Sequence, residues 1–305
     1  MWCETGYRGL SDRFIAAKKE KDMTSFIRRT AYTGPVQGVV LDWAGTAVDF
    51  GCMGPVDVFR ESFHLFDIDI SVAEVRQFMG LMKKDHIRSL CRLPTVSARW
   101  REKFGQLPDE ADVEALYAET EPMMISAIAR YCDPIPGLLE TVEELRKNSI
   151  RIGSTTGYTR PMMEILVPAA RLKGYQPDAV VCSSDTPAGR PYPWMCFQNA
   201  IQLQVYPMEA MVKIGDTITD IEEGLNAGMW TIGLTKSGNS LGLSQDETER
   251  LDPVVLKNRL SEIENAMREA GAHYVVEGIW ARLPIIRDIN NRLRHGKQPL
   301  MPAAD

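Results

Sequence analysis

Four short stretches of this 305-residue chain carry residues that could act together on a phosphoryl group. Asp42 follows the apolar run Val39-Val40-Leu41 and precedes a small-residue turn, Ala44-Gly45-Thr46. Thr156-Gly157 leads into Tyr158-Thr159-Arg160, and Arg190 stands in Gly189-Arg190-Pro191. Gly215-Asp216-Thr217 is followed by Asp220. Carboxylates that converge repel one another unless a cation lies between them, and an all-oxygen set suits Mg²⁺. A hydroxyl, a guanidinium and the free N–H groups of a helix start are what holds a phosphoryl group. Each stretch also has a plain structural use. Asp42 can be a turn residue, and Asp216 with Asp220 a helix cap and a solvated acid. The occurrence of all four in this order favours the chemical use.

A fifth stretch offers different chemistry. In Met79-Gly80-Leu81-Met82-Lys83-Lys84-Asp85-His86 the residues Met79, Lys83 and His86 recur at i, i+4, i+7 and share one helical face. Lys84 is turned about 100° away. A lysine beside an apolar Met and near a cation has its pKa lowered, and a neutral amine forms imines. The competing use is a surface lysine that lays its stem on the protein and its charge in water.

Positioning these groups requires strands. Short apolar runs that end in Gly or small residues alternate with helical patterns from Ile135 onward. Strands are expected at 36–41, 151–155, 179–182, 211–215 and 229–234, with helices at 136–148, 192–203 and 219–227. That alternation predicts an α/β fold with a doubly wound parallel sheet, whose ligands sit at the carboxyl ends of the strands. Between the first and second strands the pattern is helical, with a capping box at Ser71–Glu74 and helices over 83–91, 95–104 and 109–130. A stretch this long exceeds a simple crossover and predicts an inserted helical cap over 51–132. The core domain is then 31–50 with 133–280, and 281–305 a C-terminal helix and tail. Residues 1–30 are expected to be a poorly ordered extension. Residues 235–305 show helical elaboration and no evident chemistry.

A 44% hydrophobic, 25% charged composition is that of a globular protein with a sizeable core. The net charge of -6 argues against nucleic acid or an anionic membrane as partner. No apolar run approaches a membrane span. The six cysteines are scattered without a CxxC pair, which fits a reducing cytoplasm better than a disulfide framework or a metal cluster.

With Asp42, Thr156, Arg190 and Asp216 in this order, the chain over 36–280 resembles the haloacid dehalogenase superfamily, in which an Asp at the first strand takes up a phosphoryl group. Phosphatases of that superfamily generally place a second Asp two residues on, as the acid for an oxygen leaving group; here that position is Ala44. Asp42-Trp-Ala-Gly-Thr, Met79-Gly80 ahead of Lys83, and Gly189-Arg-Pro-Tyr-Pro-Trp194 together resemble its phosphonatase family. That resemblance implies an imine between Lys83 and phosphonoacetaldehyde, attack of Asp42 on phosphorus, and P–C cleavage in phosphonate (2-aminoethylphosphonate) degradation. It implies Mg²⁺ held by Asp42, the Ala44 carbonyl and Asp216 with Asp220 in support. Cys52 and Met79 would line the substrate pocket, and two copies would pair through their caps. His86 is assigned proton traffic, with Tyr158 as the second candidate. The rivals are a P–O phosphatase or phosphotransferase with an incidental cap lysine, and a non-enzymatic binding protein on the same fold. Cleavage at carbon leaves no oxygen for an acid at 44 to serve. Ala44→Asp should therefore not raise phosphate release from phosphonoacetaldehyde, whereas slow release from simple phosphate esters can rise; a clear gain on the phosphonate would contradict this role.

Overall fold

The computed structural model describes residues 30–299. The chain divides after Ala31, and the unit beginning at Tyr32 holds every element below. The expected extension over 1–30 lies outside the described residues except for its last residue, and so does the end of the tail.

Val39, Val40 and Leu41 are fully buried in β1 (Gly38–Leu41), as a strand covered on both faces requires. The chain leaves β1 through a turn in which the Trp43 carbonyl accepts the N–H groups of Ala47 and Val48 at 2.8 and 2.9 Å. Asp49 then accepts from the N–H groups of Met53 and Gly54, which starts α1 (Met53–His64). Four helices follow: α2 (Val72–Arg76), α3 (Lys83–Arg92), α4 (Pro94–Phe104) and α5 (Glu110–Ile128). The capping box expected at Ser71 and Glu74 opens α2, and Asp109 with Asp112 forms another at α5. Phe59, Phe63, Ile87, Leu90, Leu116 and Met124 fill the space between these helices and join the buried cluster that continues to the sheet.

The chain returns through α6 (Leu138–Lys147) to β2 (Arg151–Thr156), then α7 (Arg160–Leu172), β3 (Ala179–Cys182) and α8 (Trp194–Leu203). β4 (Met211–Gly215), α9 (Ile218–Asn226) and β5 (Trp230–Leu234) complete the alternation. α10 (Gln245–Arg250), α11 (Pro253–Glu269), β6 (Tyr274–Val276) and α12 (Arg282–Arg294) close the described chain. The sheet is parallel in the order β3-β2-β1-β4-β5-β6. Strand order reverses between β1 and β4, so the crevice opens at the carboxyl ends of that pair. Leu41 pairs with Ser154 on one side and Ile214 on the other, which brings Asp42, Thr155 and Gly215 to the same edge. Among the described residues no helix is long and apolar enough to cross a membrane.

Two expected helices start two residues late. Gly137 takes a left-handed conformation before Leu138, and Pro193 delays the start at Trp194. β6 lies where only helical elaboration was expected. At three residues it is too short to show alternation, and it extends β5 in parallel.

The helical segment meets the sheet at Gly157. A Cβ there would lie 2.3 Å from the Leu81 carbonyl oxygen and 3.0 Å from that of Gly80. Both obstacles are backbone, so the two segments can approach only because position 157 has no side chain. Gly157→Ala should cost about 1–3 kcal/mol by overpacking, measured by denaturant unfolding. Unchanged stability would show that the 80–81 turn moves freely.

Candidate active site

One narrow cavity gathers most of the residues singled out in the sequence. Asp42, Ala44, Cys52, Met79, Lys83, Thr156, Gly157, Tyr158 and Arg190 line it, together with Pro55, Gly80 and Thr217. Asp216 and Asp220 stand beside Asp42, with oxygens of all three within 4.8 Å of one another and all three side chains buried. His86 is buried too but does not line the cavity.

Each carboxylate has its own support. Asp42 sits at the end of β1, where Oδ1 accepts from Arg190 Nη2 at 2.6 Å. Asp216, at the end of β4, accepts from Thr46 Oγ1 at 3.0 Å and from the Asn239 N–H at 2.8 Å, with Cys52 Sγ 3.5 Å away. Asp220 closes a capping box with Thr217 at the start of α9. Its other oxygen faces Lys213 Nζ at 2.7 Å and Arg190 at 3.1 Å. Burial raises the carboxyl pKa of Asp42, with Arg190 opposing it. Burial raises that of Asp216 well above its usual range, with Asp42 and Asp220 adding to it. For Asp220 burial raises the pKa, but Arg190 and Lys213 outweigh it and the net shift is downward. Buried oxygen donors of this kind fit a hard divalent cation. Asp220 already spends its oxygens on Thr217, Lys213 and Arg190.

Arg190 is held from several sides. Besides Asp42 and Asp220 it meets Glu223 at 3.0 Å, and the carbonyl and hydroxyl of Thr155 at 3.0 and 2.9 Å. Lys213 braces the same group, reaching Glu223 at 3.3 Å and the Thr155 hydroxyl at 2.9 Å. The guanidinium was expected to hold phosphate; in the structure it is the counter-charge of the Asp42 carboxylate. Thr156 Oγ1 accepts the Tyr158 N–H at 3.2 Å, which shapes the turn ahead of α7.

The two adjacent lysines part, but not on the helix expected over 79–86. α3 starts only at Lys83, after an extended Met82 and a left-handed Gly80. Met79 therefore reaches the cavity from the preceding turn and not from a face shared with Lys83 and His86. Lys83 is buried, with Nζ 4.5 Å from the centroid of the Tyr158 ring and 5.7 Å from that of Phe59. Burial lowers its pKa to about 8, with Cys52 and Asp42 opposing. Lys84 points outward to pair with Glu114 on α5. His86 lies in the packing one turn on from Lys83. Its Nε2–H donates to the Val75 carbonyl at 2.8 Å, and its ring is 4.1 Å from that of Phe59. Burial, then the charge of Lys83, pushes it down to about 3, so the ring is neutral at ordinary pH. The expected proton carrier is thus a neutral group behind the cavity wall.

Sequence reasoning passed over Glu223, Thr155, Thr46 and Asn239, and weighed Lys213 only as a rival to Lys83 for the imine. Lys213 did leave a signal, as a charge inside the apolar strand Met211-Val-Lys-Ile. Glu223 is one turn beyond Asp220 on the same helix face. Asn239 belongs to a loop with no distinguishing pattern.

Comparisons agree with this geometry. A family model described as haloacid dehalogenase-like hydrolase matches residues 36–228. A phosphonoacetaldehyde hydrolase of Syntrophobacter fumaroxidans is 57% identical over 277 residues, covering 91% of this chain and all of that protein. One of Nitratidesulfovibrio vulgaris is 50% identical over 277 residues, covering 91% of this chain and 99% of the relative. The crystal structure of a phosphonoacetaldehyde hydrolase like protein from Oleispira antarctica superposes with a TM-score of 0.88 at 35% identity, over 90% of this chain and all of that one.

The depressed pKa of Lys83 can be measured without any substrate. With its midpoint near pH 8, about a tenth of this amine is neutral at pH 7, against well under about one in a thousand for an ordinary lysine. Reductive methylation with formaldehyde, followed by peptide mass mapping, should show labelling of Lys83 rising through about pH 8. Labelling that rises only toward pH 10 would contradict the burial argument.

Proposed function

The chain belongs to the haloacid dehalogenase-like hydrolases, in the phosphonoacetaldehyde hydrolase family, and from that premise we propose how its residues hydrolyse the P–C bond of phosphonoacetaldehyde to acetaldehyde and phosphate. The observation that carries the proposal is one cavity lined by Asp42, by a buried lysine with a lowered pKa, and by Ala44 where an acid would serve an ester.

Breaking a P–C bond directly would expel a carbanion. Lys83 removes that obstacle. Its neutral amine adds to the aldehyde, water leaves to give an imine, and uptake of one proton makes it an iminium on the carbon beside the P–C bond. Asp42 attacks phosphorus, the P–C bond breaks, and its electron pair moves into the iminium to give an enamine. The phosphoryl group now sits on the Asp42 carboxylate, and water hydrolyses it to phosphate. Protonation of the enamine carbon and hydrolysis of the resulting imine release acetaldehyde and restore the lysine. Because the leaving group is carbon, Ala44 lacks nothing.

Arg190, Thr156 and the N–H groups after Gly157 hold the phosphoryl oxygens. Mg²⁺ bound by Asp42, the Ala44 carbonyl and Asp216, with Asp220 in support, would neutralise charge on phosphorus oxygens and nucleophile. Cys52 and Met79 shape the pocket around the two-carbon chain. His86 serves Lys83 as a relay, taking up a proton only in passing because its resting ring is neutral; the Tyr158 hydroxyl is the second path. The segment 51–132 acts as a cap that closes over the core and keeps bulk water from the imine. Pairing of two copies through these caps, in the cytoplasm, completes the proposal. A P–O phosphatase would want a carboxylate at 44 and has no use for a buried amine.

The decisive test combines product analysis with trapping. The protein with Mg²⁺ and phosphonoacetaldehyde should release acetaldehyde and phosphate in equal amounts, and borohydride should inactivate it with the adduct on Lys83. Lys83→Arg keeps the charge but cannot form an imine, so nearly all activity should be lost, whereas Lys84→Arg should be close to neutral. An adduct on Lys84 or Lys213, or an active Lys83→Arg, would refute the proposed mechanism.

A further inference from the structure

The imine half and the phosphoryl half of the site belong to separate stretches of chain, and one half-buried bracket joins them. Arg76 ends α2, three residues before Met79 and seven before Lys83. Its guanidinium spans two loops. Nη1 donates to the Gly51 carbonyl at 2.8 Å and to the Asn239 carbonyl and side-chain oxygen at 3.2 and 3.0 Å, and Nη2 reaches the Gly242 carbonyl at 3.2 Å. Asn239 answers by donating Nδ2 to the Arg76 carbonyl at 2.9 Å. The same asparagine donates its backbone N–H to Asp216 Oδ2 at 2.8 Å. A single residue therefore grips both the segment that leads into Lys83 and a carboxylate of the proposed metal site.

The chemistry of the grip suits a coupling device. Every oxygen that Arg76 hydrogen-bonds here is neutral, so those contacts are set by geometry, while the charges of Asp49 and Asp216 act on it only at longer range. The guanidinium is only partly buried, so it can return to water when they break. One planar fork meeting acceptors from two loops also fixes the spacing between those loops, which a lysine's point charge cannot do.

We propose that Arg76 and Asn239 act as one latch, positioning Lys83 and Asp216 relative to each other. Arg76 is a positioning residue in this scheme: it touches no reacting atom and acts through Asn239 and the 76–83 segment. The proposal rests on the imine mechanism for the meaning of Lys83, but its link to Asp216 stands independently of that mechanism.

The test is a double-mutant cycle on the full chain: Arg76→Ala, Asn239→Ala, both together, and Arg76→Lys. Asn239→Ala keeps the backbone N–H to Asp216 and removes only the side-chain link. Two quantities are read, Mg²⁺ affinity by titration calorimetry and the rate at which acetaldehyde plus borohydride modifies Lys83. If the pair works as a unit, each single change should weaken Mg²⁺ binding and slow modification by about tenfold, and the double variant should be no worse than the worse single. Arg76→Lys should resemble Arg76→Ala. Multiplying effects in the double variant, or a fall in melting temperature alone with both readouts unchanged, would overturn the latch. If wild-type Lys83 is not modified at all, the imine mechanism fails, and the Mg²⁺ arm of the cycle still decides the link to Asp216. Should Arg76→Ala not fold, Arg76→Lys takes its place in the cycle.

Discussion

The structure depends on like charges being held together in a buried crevice. Asp42, Asp216, Asp220 and Glu223 are all buried at the carboxyl edge of the sheet, with Arg190 and Lys213 as the buried cations among them. Two cations leave two of the four negative charges uncancelled, and isolated buried charges are costly. That remainder explains why burial and neighbouring acids raise the carboxyl pKa of Asp42 and Asp216. It is also what a divalent cation would supply. Asp220, already served by both cations, has a lowered pKa. The division of labour among three similar carboxylates thus follows from which of them the fixed cations reach.

The two buried lysines show the same rule from the other side. Burial alone lowers the pKa of each. For Lys213 the carboxylates of Asp220 and Glu223 reverse that effect and the net shift is upward, so it stays a structural cation. Lys83 has aromatic rings against its ammonium, burial wins, and the pKa falls to about 8. An aromatic face attracts a cation more weakly than a carboxylate does, which leaves the amine within reach of its neutral, nucleophilic form. One protein therefore makes a permanent charge and an amine of lowered pKa from the same side chain by choosing its neighbours.

This logic sets what could be read from sequence. Strand ends were legible because a buried parallel strand must be apolar and its loop must turn sharply, so Asp42 and Asp216 announced themselves. The separation of Lys83 from Lys84 was legible because helical periodicity fixes direction. His86 was placed on the correct face, but periodicity gives no measure of depth, and the ring proved to be packed behind the cavity. Asn239 and its neighbours were illegible. Their role comes from a backbone N–H and from loop carbonyls that any sequence supplies, and only the fold brings them to Asp216 and Arg76. β6 escaped because three residues cannot display a period.

Charge balance also gives Ala44 a second explanation beyond the leaving group. Ala44 lines the same cavity as Asp42, Arg190 and Lys83. A carboxylate there would be a further negative charge beside a cluster already short of positive charge. It would compete for Arg190, the cation that faces Asp42. It would also favour the protonated form of Lys83, since an opposite charge nearby stabilises an ammonium. A neutral lysine and an acid two residues after Asp42 are therefore electrostatically opposed within one small cavity. A site that works through an imine gains from an apolar residue at 44 even before the identity of the leaving group is considered, so Ala44 and the lowered pKa of Lys83 are parts of one electrostatic choice.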